Sequence, residues 1–238
     1  MKEREVIIGY HAALAALKNP LRKVFTIRCT KEFYEKNKKI INEKRIKDLK
    51  ILTRKEIDIE SKNDFHQGVM IKCFQLKNSD LNSIQKTEKN IIILDSLNDS
   101  QNVGAIIRTA YLFGIKTIIF NKDNSFKINP ILIKASSGAF EEIKLIEVTN
   151  LSRTIDLLKK MGYWIVGLDI KSKQDLKSIP ANLNKALIFG SESKGIRQLL
   201  LKKCDIKAKI NFPEKQDLID SLNVSSTVAI VLYDLSRK

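Results

Sequence analysis

Apolar residues recur along this chain with a period that switches between helix and strand. Val6–Leu17 opens on a short β-branched run and continues as an alanine- and leucine-rich helix that Asn19-Pro20 ends. Val24–Ile27 reads as a strand, and Lys31–Arg45 as a charged helix with Phe33, Ile40 and Ile41 as its apolar positions. Ile51-Leu52 reads as a short strand and Arg54–Ser61 as a loop or a single helical turn. Strand character returns over Phe65–Phe74, with Val69 and Ile71 on one face. A small α/β domain over residues 1–74 is the expectation. Residues 75–89 are polar, carry few apolar anchors and read as a linker.

From residue 90 to 238 the pattern is a second α/β domain. Ile91–Leu94 is fully apolar, as in a strand buried on both faces of a parallel sheet. A helix follows from about Val103 to Phe113, closed by Gly114, with Val103, Ile106, Ile107 and Ala110 on its apolar face. Thr117–Phe120 is the next strand, and Ser125–Phe140 is mixed, with a loop around Gly138. Further on come a helix (Leu151–Met161), two strands (Trp164–Leu168 and Ala186–Phe189), a short helix (Ile196–Cys204) and a strand (Lys207–Phe212). The last helix carries Val224, Val228, Val231, Leu232 and Leu235 on one face, with Asn223 placed to cap it. Strand and helix alternate, so the sheet is expected to be mostly parallel with helices on both faces. Ligands of such sheets bind beyond the carboxyl ends of the strands.

Composition narrows the field. Forty-three Lys and Arg against 27 Asp and Glu leave a net charge of +16, which favours polyanionic partners. No apolar run approaches the length of a membrane span, and Met1–Leu14 does not read as a signal peptide. Cys29, Cys73 and Cys204 are odd in number and far apart, and there are only 2 histidines, so neither a disulfide framework nor a metal site is expected. His11 and His66 are expected to be structural. The thiols fit a reducing, cytoplasmic setting.

Three loops fall where a ligand would sit: after Leu94, after Phe189 and after Phe212. In the first, Asn102 stands at a helix start and Arg108 further along, where a guanidinium could grip a phosphate or simply be solvated. The second, Gly190-Ser191-Glu192-Ser193-Lys194-Gly195, could hold an anion or a cofactor rim on its free amides, or be an ordinary glycine-dependent turn. In the third, Ser221 and Asn223 are positioning groups or caps.

Together and in this order the loops resemble the three motifs of the SpoU (TrmH) family of RNA 2′-O-methyltransferases. Asn102, Gly104, Arg108, Thr109 and Ala110 match the first. Gly190, Glu192 and Gly195 match the second, and Ser221, Leu222, Asn223, Val224 and Ser225 the third. Val6–Leu17 resembles the start of the family's substrate-binding domain and His66-Gln67-Gly68-Val69 its end. Residues 135–151 resemble the 23S rRNA guanosine type of the family. Ser193 replaces a common glycine, and residues 213–217 are more charged than the family pattern.

The resemblance implies an enzyme using S-adenosylmethionine, a C-terminal trefoil knot, a homodimer and an RNA substrate. That substrate is 23S rRNA at a guanosine of the peptidyl-transferase P loop, with tRNA as the alternative; a non-catalytic ribosome-assembly factor is a more distant one. It implies Arg108 as the base or alkoxide stabiliser and Asn102, Glu192, Ser221 and Asn223 as positioning residues. Gly190, Ser191, Glu192, Gly195, Ile210, Phe212, Leu222 and Asn223 would line the cofactor.

Overall fold

A computed structural model of the chain describes residues 3–62, 65–77, 79–85, 87–212 and 221–237, which fall into two units. The first contains Met1–Lys77 and also Ile128–Glu142; the second contains Asn78–Lys127 and Ile143–Lys238. A single cut near residue 75 therefore describes the division only in part. The segment 128–142 lies in the later half of the chain yet packs with the first.

In the first unit, strands β1 (Arg4–Ile8), β2 (Val24–Cys29), β3 (Asp48–Ile51) and β4 (Val69–Phe74) form one sheet, ordered β1-β4-β2-β3. β4 runs antiparallel to β1 and β2, and β3 parallel to β2. Between them lie α1 (Tyr10–Lys18), α2 (Lys31–Glu43) and α3 (Arg54–Ser61). α3 is a full helix where a loop or one turn was expected. Thr53 and Glu56 close its first turn with a capping box. Its buried Ile57 then packs with Ile8 and Met70, an anchor that one apolar position among charges did not reveal.

The late segment joins this unit through α5 (Pro130–Ala135), which starts on a cap from Asn129 and a proline. The expected loop follows and presses against α1. Gly138 sits at φ 93°, and a Cβ there would lie 2.9 Å from that of Ala15 and 3.1 Å from the His11 carbonyl. His66 is structural, as expected: its Nδ1 accepts from the Gly68 amide at 2.9 Å and its Nε2 lies 2.7 Å from Asp58. Gln67 Oε1 accepts from the Tyr10 amide at 3.0 Å, capping α1 where Gly9 has no side chain to do so.

The second unit holds a sheet of six parallel strands, ordered β10-β8-β9-β5-β6-β7. These are β5 (Asn90–Asp95), β6 (Thr117–Asn121), β7 (Lys144–Val148), β8 (Trp164–Leu168), β9 (Lys185–Gly190) and β10 (Ile206–Ala208). The helices are α4 (Ser100–Leu112), α6 (Leu151–Lys160), α7 (Gln198–Leu201) and α8 (Val224–Ser236). Ile91 and Ile93 pack with Ile155 and Leu158 of α6 and Leu200 of α7. Ile92 and Leu94 point the other way along the pleat and are equally buried, so β5 is covered on both faces. β7 was not foreseen, because its short run is interrupted by a glutamate. β10 ends at Ala208 rather than Phe212, since Lys209 leaves the sheet to bridge Asp175.

The stretch expected as a linker is anchored. Ile84 enters the core, and buried Glu88 accepts from Thr117 Oγ1 at 2.6 Å, Lys144 Nζ at 2.9 Å and the Gln85 amide at 3.1 Å. Burial works to raise the Glu88 carboxyl, but these donors prevail and hold it below the ordinary glutamate value. Its stabilisation is therefore complete above that ordinary value and is lost as the pH falls through the lower folded one. Glu88→Ala should cost about 1–3 kcal/mol in urea unfolding at neutral pH. The deficit should shrink in acid; a deficit independent of pH would refute this account.

Candidate active site

Three loops meet at the carboxyl ends of β5, β9 and β10. Asp95, at the end of β5 and fully buried, accepts from the Arg197 amide at 2.8 Å and from Arg197 Nε at 2.7 Å. This pair ties the first loop to the residue that precedes α7. It was missed in the sequence, where the only signal was an acid directly ending a wholly apolar run.

The second loop doubles back tightly. The Gly195 amide donates to the Ser191 carbonyl at 2.8 Å, and Gly195 adopts φ +66°. A Cβ on Gly190 would overlap the backbone of Gly195 and Ile196, so only glycine lets the two ends of the loop touch.

One polar residue from each motif enters a hydrogen-bonded triangle. Asn102 Nδ2 donates to Glu192 Oε1 at 2.7 Å, and Asn223 Nδ2 donates to Glu192 Oε1 at 3.1 Å and to Asn102 Oδ1 at 2.9 Å. The remaining polar atom of Asn223, Oδ1, accepts from the amide and hydroxyl of Ser225, which makes Asn223 the expected cap of α8. α4 is capped by Asp99 rather than by Asn102, whose own amide donates to Asp99 Oδ1 at 2.6 Å. The cap leaves the Asn102 side chain for the triangle. Arg108 lies outside this group, exposed on α4, about 9 Å further along the axis at 1.5 Å per residue.

Beside the triangle is a cleft of about 370 Å³. Gly190, Ser191, Glu192 and Gly195 line it from the second loop, and Ile210, Phe212, Ser221 and Leu222 from either side of the segment 213–220. The charged run 213–217 lies outside the described residues. Asn223 falls between two lining residues but spends its side chain on the triangle, so it joins the cleft only through its neighbours. Asp169, Ile170 and Lys171, beyond β8, also line the cleft and were not foreseen. The volume and the mixture of apolar side chains with polar backbone suit a small cofactor. Glu192 alone touches both cleft and triangle. Glu192→Ala should lower activity about 10- to 100-fold, because two amide donors lose their shared acceptor. Glu192→Gln, which keeps one oxygen, should lose less, and equal losses in the two variants would contradict the triangle's importance.

Fold and site define an α/β enzyme of the parallel-sheet class, with its cofactor cleft at the strand ends. The chain belongs to the SpoU rRNA methylase family, whose model matches residues 89–233; residues 6–79 match the RNA 2′-O ribose methyltransferase substrate-binding domain. It is an RNA methyltransferase. The 23S rRNA (guanosine-2′-O-)-methyltransferase RlmB of Coxiella burnetii is 36% identical over 194 residues, 79% of this chain and 76% of that one. A putative TrmH family tRNA/rRNA methyltransferase of Staphylococcus aureus is 34% identical over 251 residues, 99% of this chain and 97% of its own. The AdoMet-bound rRNA methyltransferase of Sinorhizobium meliloti superposes with a TM-score of 0.82 at 22% identity, over 98% of this chain and 87% of that chain, a likeness of fold.

Proposed function

We propose that this enzyme methylates the ribose 2′-hydroxyl of a guanosine in the peptidyl-transferase P loop of 23S rRNA, acting as a cytoplasmic homodimer. The triangle of Asn102, Glu192 and Asn223 carries the reading, because it brings one residue of each motif to the edge of the cleft. The rRNA target is supported by the Coxiella burnetii relative and by a substrate-binding domain at residues 6–79.

S-adenosylmethionine is the cofactor, and when bound it supplies an electrophilic methyl group. The cleft suits it: backbone of the 190–195 loop forms a wall that Gly190 keeps closed, and Ile210 and Leu222 offer apolar surface. A C-terminal trefoil knot is proposed for the second unit. Asn102 and Asn223 hold the Glu192 carboxylate at the cleft's edge. Ser221, at the same rim, helps position the ribose. Arg108 presents a fixed positive charge to the RNA phosphate and to the ribose oxygen, whose proton passes to solvent water.

The test is transfer of labelled methyl from S-adenosylmethionine to unmodified 23S rRNA and to tRNA, followed by mapping of the modified ribose. Label at one 23S guanosine is the expected result. Label on tRNA alone would move the substrate, and label on neither would sink the reading.

A further inference from the structure

The first unit exposes an aromatic side chain with a cation beside it. Phe65 is 65% exposed, a large aromatic surface to leave in water. Lys134 Nζ lies 4.8 Å from its ring centroid. The Lys134 stem passes Gly9, where a Cβ would come 3.2 Å from Lys134 Cγ and 3.2 Å from Gln67 Oε1. Phe65, Lys134 and Gln67 therefore form one continuous patch, and a side chain at Gly9 would crowd its middle.

The patch is rigid. His66, next to Phe65, is clamped between Asp58 and the Gly68 amide. Gln67 is held at φ 53° with its carbonyl committed to the Tyr10 amide, while its Nε2 has no partner among the described residues. His11 is exposed, its ring edge-on to Tyr10 at 5.4 Å between centroids.

An exposed ring, a cation over it and an unspent amide donor are the parts that hold a splayed nucleotide: stacking for the base, charge for its phosphate and a hydrogen bond for its edge. We propose that Phe65, Lys134 and Gln67 form a platform for one unpaired base of the RNA substrate. This rests on the reading of the protein as an RNA methyltransferase. The net charge of +16 favours RNA over an apolar protein partner for the same surface.

The experiment is fluorescence anisotropy with two labelled probes, a single-stranded RNA of about ten nucleotides and a blunt RNA duplex. Phe65→Ala should weaken single-strand binding about tenfold, leaving the duplex and the salt dependence nearly unchanged. Lys134→Ala should weaken binding and lower the salt slope by about one. Phe65→Trp, made together with Trp164→Phe, should restore affinity, and its emission should change when the single strand is added. Circular dichroism establishes that each variant is folded. Equal affinity of wild type and Phe65→Ala for the single strand would overturn the platform, as would a change in oligomeric state without a change in affinity. Failure of the wild type to bind either probe would likewise overturn the platform, whereas failure of the rRNA reading shows separately as absence of label on 23S rRNA.

Discussion

Arg108→Ala should lower the rate of methyl transfer by about 10²–10³ while the dissociation constant for S-adenosylmethionine stays where it was. The split follows from position. Arg108 is exposed on α4, beyond the triangle and absent from the lining of the cleft, so its removal leaves the cofactor's surroundings intact. From that exposed position a guanidinium can meet an RNA phosphate with two donors. An arginine keeps its proton throughout the working range, so it serves poorly as a base and well as a fixed charge. Arg108→Lys should therefore recover part of the rate, since charge returns without the two-pronged geometry. Single-turnover transfer with saturating cofactor, beside calorimetric titration of S-adenosylmethionine, measures both quantities. Loss of cofactor affinity in Arg108→Ala would place the residue's effect in the cleft instead.

The sequence revealed most where local pattern and chemistry coincide. α4 and α8 show their buried faces in plain spacing, and the Asn223 cap stands directly before its helix. The motif residues were visible as types at intervals, but the triangle was not, because nothing in spacing aims Asn102 and Asn223 at one carboxylate oxygen. Features were missed where a partner far along the chain decides the matter. Glu88 in a polar stretch looks solvated until Thr117 and Lys144 are brought to it. Asp95 looks like the start of a loop until Arg197 closes on it, 102 residues away. The 128–142 segment gives no sign that its partners lie in the first unit, since Glu141 reads as one surface acid among many.

That glutamate belongs to a buried ion network with Arg22 and Glu5. Arg22, with a fully buried side chain, places Nε 2.9 Å from Glu141 Oε1, NH2 2.9 Å from the same oxygen and NH1 2.6 Å from Glu5 Oε2. Its NH1 also donates to the Phe74 carbonyl at 3.0 Å. Burial alone would lower the guanidinium's pKa, and the two carboxylates more than reverse it. Glu5 is pushed above the ordinary glutamate value by burial, in spite of Arg22. Arg22→Met should cost about 3–5 kcal/mol, because it strands two buried carboxylates. An acid whose folded pKa is raised loses stability as the pH climbs through the ordinary value toward the folded one, and keeps it below. The deficit of Arg22→Met should therefore be largest at neutral pH and shrink in mild acid as the stranded groups take up protons. Adding Glu141→Leu and Glu5→Gln should recover much of the loss, since an apolar replacement of a buried pair is often nearly neutral. Urea unfolding of the three proteins at two pH values, with proteolysis within 128–142 as a local probe, decides the point. A cost below about 1 kcal/mol for Arg22→Met would mean that the network holds its charges no better than surface pairs do.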